Sequence, residues 1–178
     1  HLALMAAFVA IPTILSEELG VEGQNLWWVY LLLLGGGFFI MLPGMILAEK
    51  YNRHKLIFLV SVGVMTAVTL MLSFYRGSVL TPLLLLIFFT AFNLLEASLP
   101  SWMSKSCPVG NRGTAMGIYS TSQFLGAFFG GLLGGWSLQT LGMNGLFVVI
   151  SLVLAIWWCV CLGLESPRPL KTLVLAVG

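Results

Sequence analysis

A single acid lies within a long apolar stretch of the sequence. Glu96 follows the run 79–95, in which apolar side chains predominate. A carboxylate at membrane depth is costly, and such acids usually face a polar interior and serve ion or proton pathways. Asn93 and Pro100 lie three residues before and four residues after Glu96, and this spacing predicts one shared helix face. We expect that face to line a polar cavity in which Glu96 handles protons or substrate. The alternative is a neutral Glu96 that packs by hydrogen-bonding to a neighbouring helix.

A polar run in the following apolar segment supplies candidate partners. Tyr119, Gln123 and Gly126 share one face by their spacing, and Ser122 lies on the same side. We expect Tyr119 and Gln123 to contact a substrate or, alternatively, to form hydrogen bonds between helices. His1 lies within the first apolar run, where it could titrate or simply pack.

The elements that must position these side chains are membrane helices. Of the 178 residues, 59% are hydrophobic and 8% are charged, and the mean hydropathy is +1.03. Soluble domains carry about a quarter charged residues, so the composition excludes a water-soluble fold, a disordered chain and a nucleic-acid-binding protein. The three cysteines form no even framework and lack metal-ligand spacing. We therefore expect no metal and no other cofactor.

Apolar segments separated by polar breaks predict an all-α, polytopic membrane protein with six transmembrane helices. Their lengths are near the roughly 20 residues that cross a bilayer core as helix, and they lack the alternation of β-barrel strands. The segments are 1–15, 26–48, 56–74, 79–103, 113–138 and 145–164. The first begins without a basic leader and looks like a truncated helix, so we expect a fragment of a longer chain. Residues 1–165 would form the bundle, and 166–178 a cytoplasmic linker or tail.

The basic residues predict the orientation. Arg76 alone lies between the third and fourth segments, whereas the other seven fall on the opposite side of the membrane if the segments alternate in direction. Those seven are Lys50, Arg53, Lys55, Lys105, Arg112, Arg168 and Lys171. Because basic loops remain cytoplasmic, we expect loops 49–55 and 104–112 and the C-terminus on the cytoplasmic side.

The loop after the second segment resembles a known signature. It reads Gly44-Met45-Ile46-Leu47-Ala48-Glu49-Lys50-Tyr51-Asn52-Arg53-His54, which is similar to the Gly-x-Leu-Ala-Asp-Arg-x-Gly-Arg-Arg motif of the major facilitator superfamily. Gly44 is one place from the first motif glycine, and Asn52 replaces the second. Asn tolerates the left-handed backbone that such a turn uses. The alternative is an ordinary basic cytoplasmic loop.

The fourth and fifth segments carry a closer resemblance. The runs 92–101 and 112–126 look like helices ten and eleven of the drug/proton antiporter branch and, more closely, of its YajR-type subgroup. The resemblance implies one six-helix half of the fold, family helices seven to twelve, in the plasma (cell inner) membrane. It also implies partners: membrane lipid, the missing N-terminal six-helix half, a small-molecule substrate and protons. In the YajR-type subgroup a small ferredoxin-like domain follows the last helix, to which the tail would be the linker.

The resemblance also implies roles for the helix ends. In the family, the signature acid of the first half is thought to dock on the helix end that Arg112 and Gly113 begin here, and multidrug efflux is a common activity. By pseudo-symmetry, Glu49 would face the missing half.

Glycines at four-residue spacing form a ridge in the fifth segment. Gly126, Gly130 and Gly134 predict close helix packing, and the alternative is a smooth surface along which helices slide.

Two other function classes are weighed against transport. A membrane enzyme would need a serine–histidine pair or paired acids at membrane depth, which the sequence lacks, and ATP-driven transport would need a phosphate-binding Gly-x-x-x-x-Gly-Lys motif. A structural or assembly membrane protein without transport activity of its own stays as the alternative.

Overall fold

A computed structural model of the chain describes residues 1–51 and 53–163, with backbone only at Ala48, Lys105, Ser106 and Val109. The turn residue Asn52 and the predicted tail 166–178, with Arg168 and Lys171, lie outside the described residues. Within the described ranges the structure consists of helices joined by short connections, and it contains no strand. The prediction of an all-α membrane fold is confirmed. The helices are α1 (Leu2–Leu19), α2 (Leu26–Tyr51), α3 (His54–Phe74), α4 (Leu80–Ser106) and α5 (Arg112–Leu162).

Each of the five helices is long and apolar enough to cross a membrane. The first is longer than expected, because it continues through Glu17 and Glu18 to Leu19. Gly20 ends it in the left-handed conformation with φ 64°, and the N–H groups of Gly20 and Val21 bond to the carbonyls of Ser16 and Leu15. This capping glycine, rather than the first acid, sets the helix boundary.

Both of the last predicted segments lie within α5, which is 51 residues long and interrupted at Gly142. Gly142 has φ 69° and ψ −173°, a backbone conformation that strongly favours glycine. The neighbours of α5 show that the chain reverses there. Residues 112–141, its first segment, run parallel to α1, since Gly126 lies beside His1 and Gly134 beside Ala6.

The second segment of α5, residues 143–162, runs antiparallel to α3. Asn144 at its start accepts a hydrogen bond from Arg76, just after α3 ends, and Trp158 near its end donates to the carbonyl of Leu59 at 3.0 Å. Residues 1–51 and 53–163 therefore contain six membrane-length segments, as the apolar pattern predicts.

The helices pack in a definite order. α1 and α3 both lie against α5, whereas α4 packs between α2 and α3. The core is apolar, and its largest fully buried side chains include Phe88, Phe89, Phe147, Ile11 and Leu72.

The glycine ridge is a packing surface, as its spacing predicts. A Cβ atom on Gly130 would lie 2.3 Å from the carbonyl oxygen of Leu2, and one on Gly134 would lie 2.7 Å from the Cα of Ala6. These are backbone atoms, which cannot move aside as a side chain can. The glycines therefore set the distance between α1 and the first segment of α5.

Substituting the ridge tests this contact. We expect Gly130→Ala to separate α1 from α5 and to destabilise the protein by about 1–3 kcal/mol, which is typical of overpacking. The measurement is the thermal unfolding midpoint in detergent. Gly131→Ala is the matched control, because nothing lies within 4 Å of a Cβ built there; equal losses in the two variants would contradict the assignment.

The bond of Trp158 gives a second stability prediction. Trp158 lies against α3, with its indole nitrogen 3.2 Å from a Cβ built on Gly63. We expect Trp158→Phe to cost roughly 1 kcal/mol through the lost hydrogen bond. Trp136→Phe serves as the control, since Trp136 is exposed, and a midpoint equally lowered in both variants would rule out a specific role for the bond.

Candidate functional site

Glu96 on α4 is the centre of a polar cluster that joins three helices. Its carboxylate accepts hydrogen bonds from Nε2 of Gln123 on α5, at 3.0 Å to Oε1 and 3.3 Å to Oε2. Nε2 of His1, at the start of α1, lies 3.5 Å from Oε2. The same Gln123 nitrogen also lies 3.1 Å from the hydroxyl oxygen of Tyr119. Four of the five residues predicted for the pathway are thus brought together.

The local sequence explains this convergence. Tyr119 and Gln123 are four residues apart on α5, so their side chains lie one above the other on one helix face. Gly126 follows at the next position of that face, and a Cβ there would lie 3.4 Å from Cβ of His1. The start of α1 therefore lies against α5 beside Gln123. The ring of His1 then packs edge-on against Phe92, with the ring centroids 5.4 Å apart.

The cluster opens into a cavity of about 590 Å³ between α1, α3, α4 and both segments of α5. Glu96 keeps 44% of its side-chain surface exposed, whereas His1 keeps 24%. The carboxyl is therefore reachable from the cavity and is not sealed among aliphatic side chains. The polar residues of the wall include Glu96, Tyr119, Ser122, Gln123 and, on α3, Lys55.

Most of the remaining wall is apolar and aromatic. Phe58, Phe92, Trp102 and Trp157 all contribute, and the sequence analysis assigned none of them to the site. Phe92 had a usable signal, since it lies one turn before Glu96 on the same face. Phe58 and Trp157 come from helices distant in sequence, and only the packing of α3 against α5 brings their rings to 6.1 Å.

Asn93 does not join the cluster. Its Nδ2 lies 3.4 Å from the carbonyl oxygen of Leu34 on α2, and it is not among the residues that line the cavity. A residue three positions before Glu96 is rotated by about 60° from it around the helix axis. α4 lies between α2 and the cavity, and this rotation is enough to direct Asn93 towards α2. Asn93 therefore does not contribute to the cavity wall with Glu96, contrary to the expectation that their common face lines the cavity.

The signature loop lies at the end of the bundle where α2 and α4 end. Glu49 accepts a hydrogen bond of 2.6 Å from the hydroxyl of Ser101 on α4. Within the described residues the Glu49 carboxylate therefore contacts a helix of the same bundle, and the expectation that it faces the missing half stays a prediction. A Cβ on Gly44 would lie 3.2 Å from the side chain of Leu94, so Gly44 supports the same α2–α4 contact.

The other loop residues have separate positions. The ammonium of Lys50 lies 5.7 Å from the ring centre of Tyr51, and Arg53 is the residue that precedes α3. Arg112 and Gly113 begin α5 and are exposed. The structure thus places the predicted docking residues at an accessible helix end, apart from the Glu96 cluster.

The cluster combines groups that donate hydrogen bonds with groups that accept them. A carboxylate accepts hydrogen bonds only, whereas a protonated carboxyl also donates one. The imidazole of His1 has its own proton-binding nitrogen within 3.5 Å. The site combines a titratable acid, an amide that has both a donor and an acceptor, and a phenol hydroxyl that can play either part.

The chain is similar to proteins that are named as transporters. The sequence profile described as Major Facilitator Superfamily matches residues 1–176. The chain is 37% identical over 182 residues to the Inner membrane transport protein YajR of Escherichia coli (strain K12), covering 99% of this chain and 39% of that protein. It is 35% identical over 131 residues to the Uncharacterized transporter BU466 of Buchnera aphidicola subsp. Acyrthosiphon pisum (strain APS), covering 73% of this chain and 33% of that protein. The chain thus spans well under half the length of these relatives.

Proposed function

The chain belongs to the major facilitator superfamily, and on that premise we propose that it forms one six-helix half of a secondary transporter. This half moves a small molecule across the plasma membrane by rocking against a second half, and it works as a proton-coupled exporter. The relatives are named as transporters and are much longer than this chain. Their additional length is enough for a second bundle of this size.

The observation that carries the proposal is the Glu96 cluster. One carboxyl holds together α4, the first segment of α5 and the beginning of α1 through Gln123 and His1. Protonation removes the charge and changes which hydrogen bonds this carboxyl makes. Since the carboxyl opens on a cavity, a proton and a substrate can both reach it. Secondary transporters of this architecture place such sites near the midplane between two repeats.

We propose the orientation of the bundle in the membrane from the basic residues at one of its ends. The ring of Trp102, near the end of α4, stacks at 6.4 Å on that of His54 at the start of α3. This contact supports placing loops 49–55 and 104–112 at one end of the bundle. Because basic loops face the cytoplasm, we assign this end to the cytoplasmic side.

Neutralising Glu96 tests the proton step. Coupling between two bound ligands is typically worth about 5- to 150-fold. We expect Glu96→Gln, introduced into a longer protein that contains this segment, to lower transport driven by a pH gradient roughly tenfold. The dependence of flux on pH should also become flatter. The measurement is substrate flux in proteoliposomes with an imposed gradient.

The control is Glu22→Gln, which removes an exposed acid outside the helices. We expect it to leave flux and pH profile unchanged. Wild-type flux and pH profile in Glu96→Gln would refute the proton step. If the wild-type protein moves no substrate under any gradient, the structural or assembly protein becomes the better interpretation.

A further inference from the structure

We propose that Gln123 is a positioning residue that keeps the Glu96 carboxyl hydrogen-bonded in both of its protonation states, by turning its own side-chain amide. The inference rests on the proposed function, in which Glu96 gains and loses a proton. The inference concerns Gln123 and not Glu96, and its test measures the NMR signals of the Gln123 amide in addition to transport.

The amide orientation in the structure suits an ionised Glu96. Nε2 of Gln123 lies within 3.3 Å of both carboxylate oxygens and 3.1 Å from the hydroxyl oxygen of Tyr119. The amide nitrogen carries two hydrogens, and a carboxylate needs donors. One hydrogen serves the carboxylate and the other serves Tyr119. The amide therefore has the orientation that suits a negative charge on Glu96.

Protonation reverses what Glu96 needs. The neutral carboxyl has an O–H group that must find an acceptor, and the amide nitrogen of Gln123 cannot accept. Rotation about the last side-chain bond of Gln123 exchanges the amide nitrogen with its carbonyl oxygen, and this torsion is broad and roughly two-fold. The oxygen then accepts from the Glu96 O–H group. The hydroxyl of Tyr119 turns with it, because a phenol can donate as readily as it accepts.

The surroundings make this adaptability valuable. Glu96 is only partly exposed, to a cavity whose wall is mostly apolar, so a partner fixed in one orientation would favour one protonation state. Gln123 is held for this task by the close approach of α1, since Gly126 and His1 are in contact one turn away. The amide can turn in place while the three helices stay together.

Other titratable groups face the same cavity and must be separated from Glu96. Among the described side chains they are His1 on α1, Lys55 on α3, and Tyr119 and Cys161 on α5. His1 is the nearest of the basic groups, at 3.5 Å from the carboxylate. A test therefore needs variants at both Glu96 and His1.

Side-chain amide signals of the glutamines provide the test. The chain contains three glutamines, Gln24, Gln123 and Gln139. With ¹⁵N-labelled glutamine in the 178-residue chain, reconstituted in lipid nanodiscs, we expect the Gln123 amide signals to move between two limiting positions as pH is changed. Gln24 bonds to the exposed Glu22 at 2.9 Å and reports an ordinary glutamine–acid pair. Gln139 is the internal reference for a glutamine on the same helix as Gln123. Loss of a signal in Gln123→Leu, or in Gln123→Asn if the leucine variant fails to fold, assigns it.

Two variants show which titratable group causes the pH-dependent shift of the Gln123 signals. We expect Glu96→Ala to abolish the pH response of Gln123 and His1→Asn to preserve it. An unmoved Gln123 signal throughout the pH range would overturn the inference, and so would a response that persists in Glu96→Ala.

Transport gives a second readout that a purely structural role would not move. We expect Gln123→Leu to flatten the pH profile of flux, as Glu96→Gln does, while Gln139→Leu keeps the wild-type profile. If Glu96→Gln abolishes proton coupling but Gln123→Leu keeps the wild-type profile, the proposed function stands and the role of Gln123 is wrong. If neither variant changes the profile, both fail.

Discussion

A carboxyl group at membrane depth must have hydrogen-bond partners, and the inner arrangement of this bundle follows from that requirement. Gln123 on α5 donates a hydrogen bond to Glu96, and His1 at the start of α1 is its second polar neighbour. No single helix can provide both, so three helices must converge at one height. Ionic and polar groups in the interior of a protein are costly when only partly satisfied, and this cost makes the convergence specific. An apolar contact at the same place would tolerate helix rotation more readily.

The glycines make the convergence possible, and the opposite end of the bundle secures it. α1 can approach the first segment of α5 this closely because Gly130 and Gly134 leave backbone in contact with backbone. At the other end, Arg76 donates a hydrogen bond to Asn144 and lies 4.0 Å from Glu18. Arg76 therefore joins α1, the loop after α3 and the second segment of α5. The helices are tied together at one end and meet at a titratable group towards the other.

Sequence patterns predicted much of this architecture, because lipid allows few alternatives to helices. Apolar runs predicted the helical segments, and the four-residue spacing of glycines predicted a packing ridge. The Tyr119–Gln123 face was predictable from spacing alone. The spacing of residues along the sequence could not show which helix packs against each face. Asn93 follows the same rule as Tyr119 and yet contacts α2, since α4 has one neighbour on each side. Glu49 likewise contacts Ser101, 52 residues away, and no local pattern encodes that pairing.

The central claim is that Glu96 changes its protonation state while its partners stay in place. The most direct measurement is the ¹³C chemical shift of the Glu96 side-chain carboxyl in lipid nanodiscs, assigned by its loss in Glu96→Gln and followed as a function of pH. We predict one reversible transition between two limiting carboxyl shifts as the pH is changed, with the helices intact on both sides of it. A carboxyl that keeps one protonation state until the protein unfolds would contradict the account.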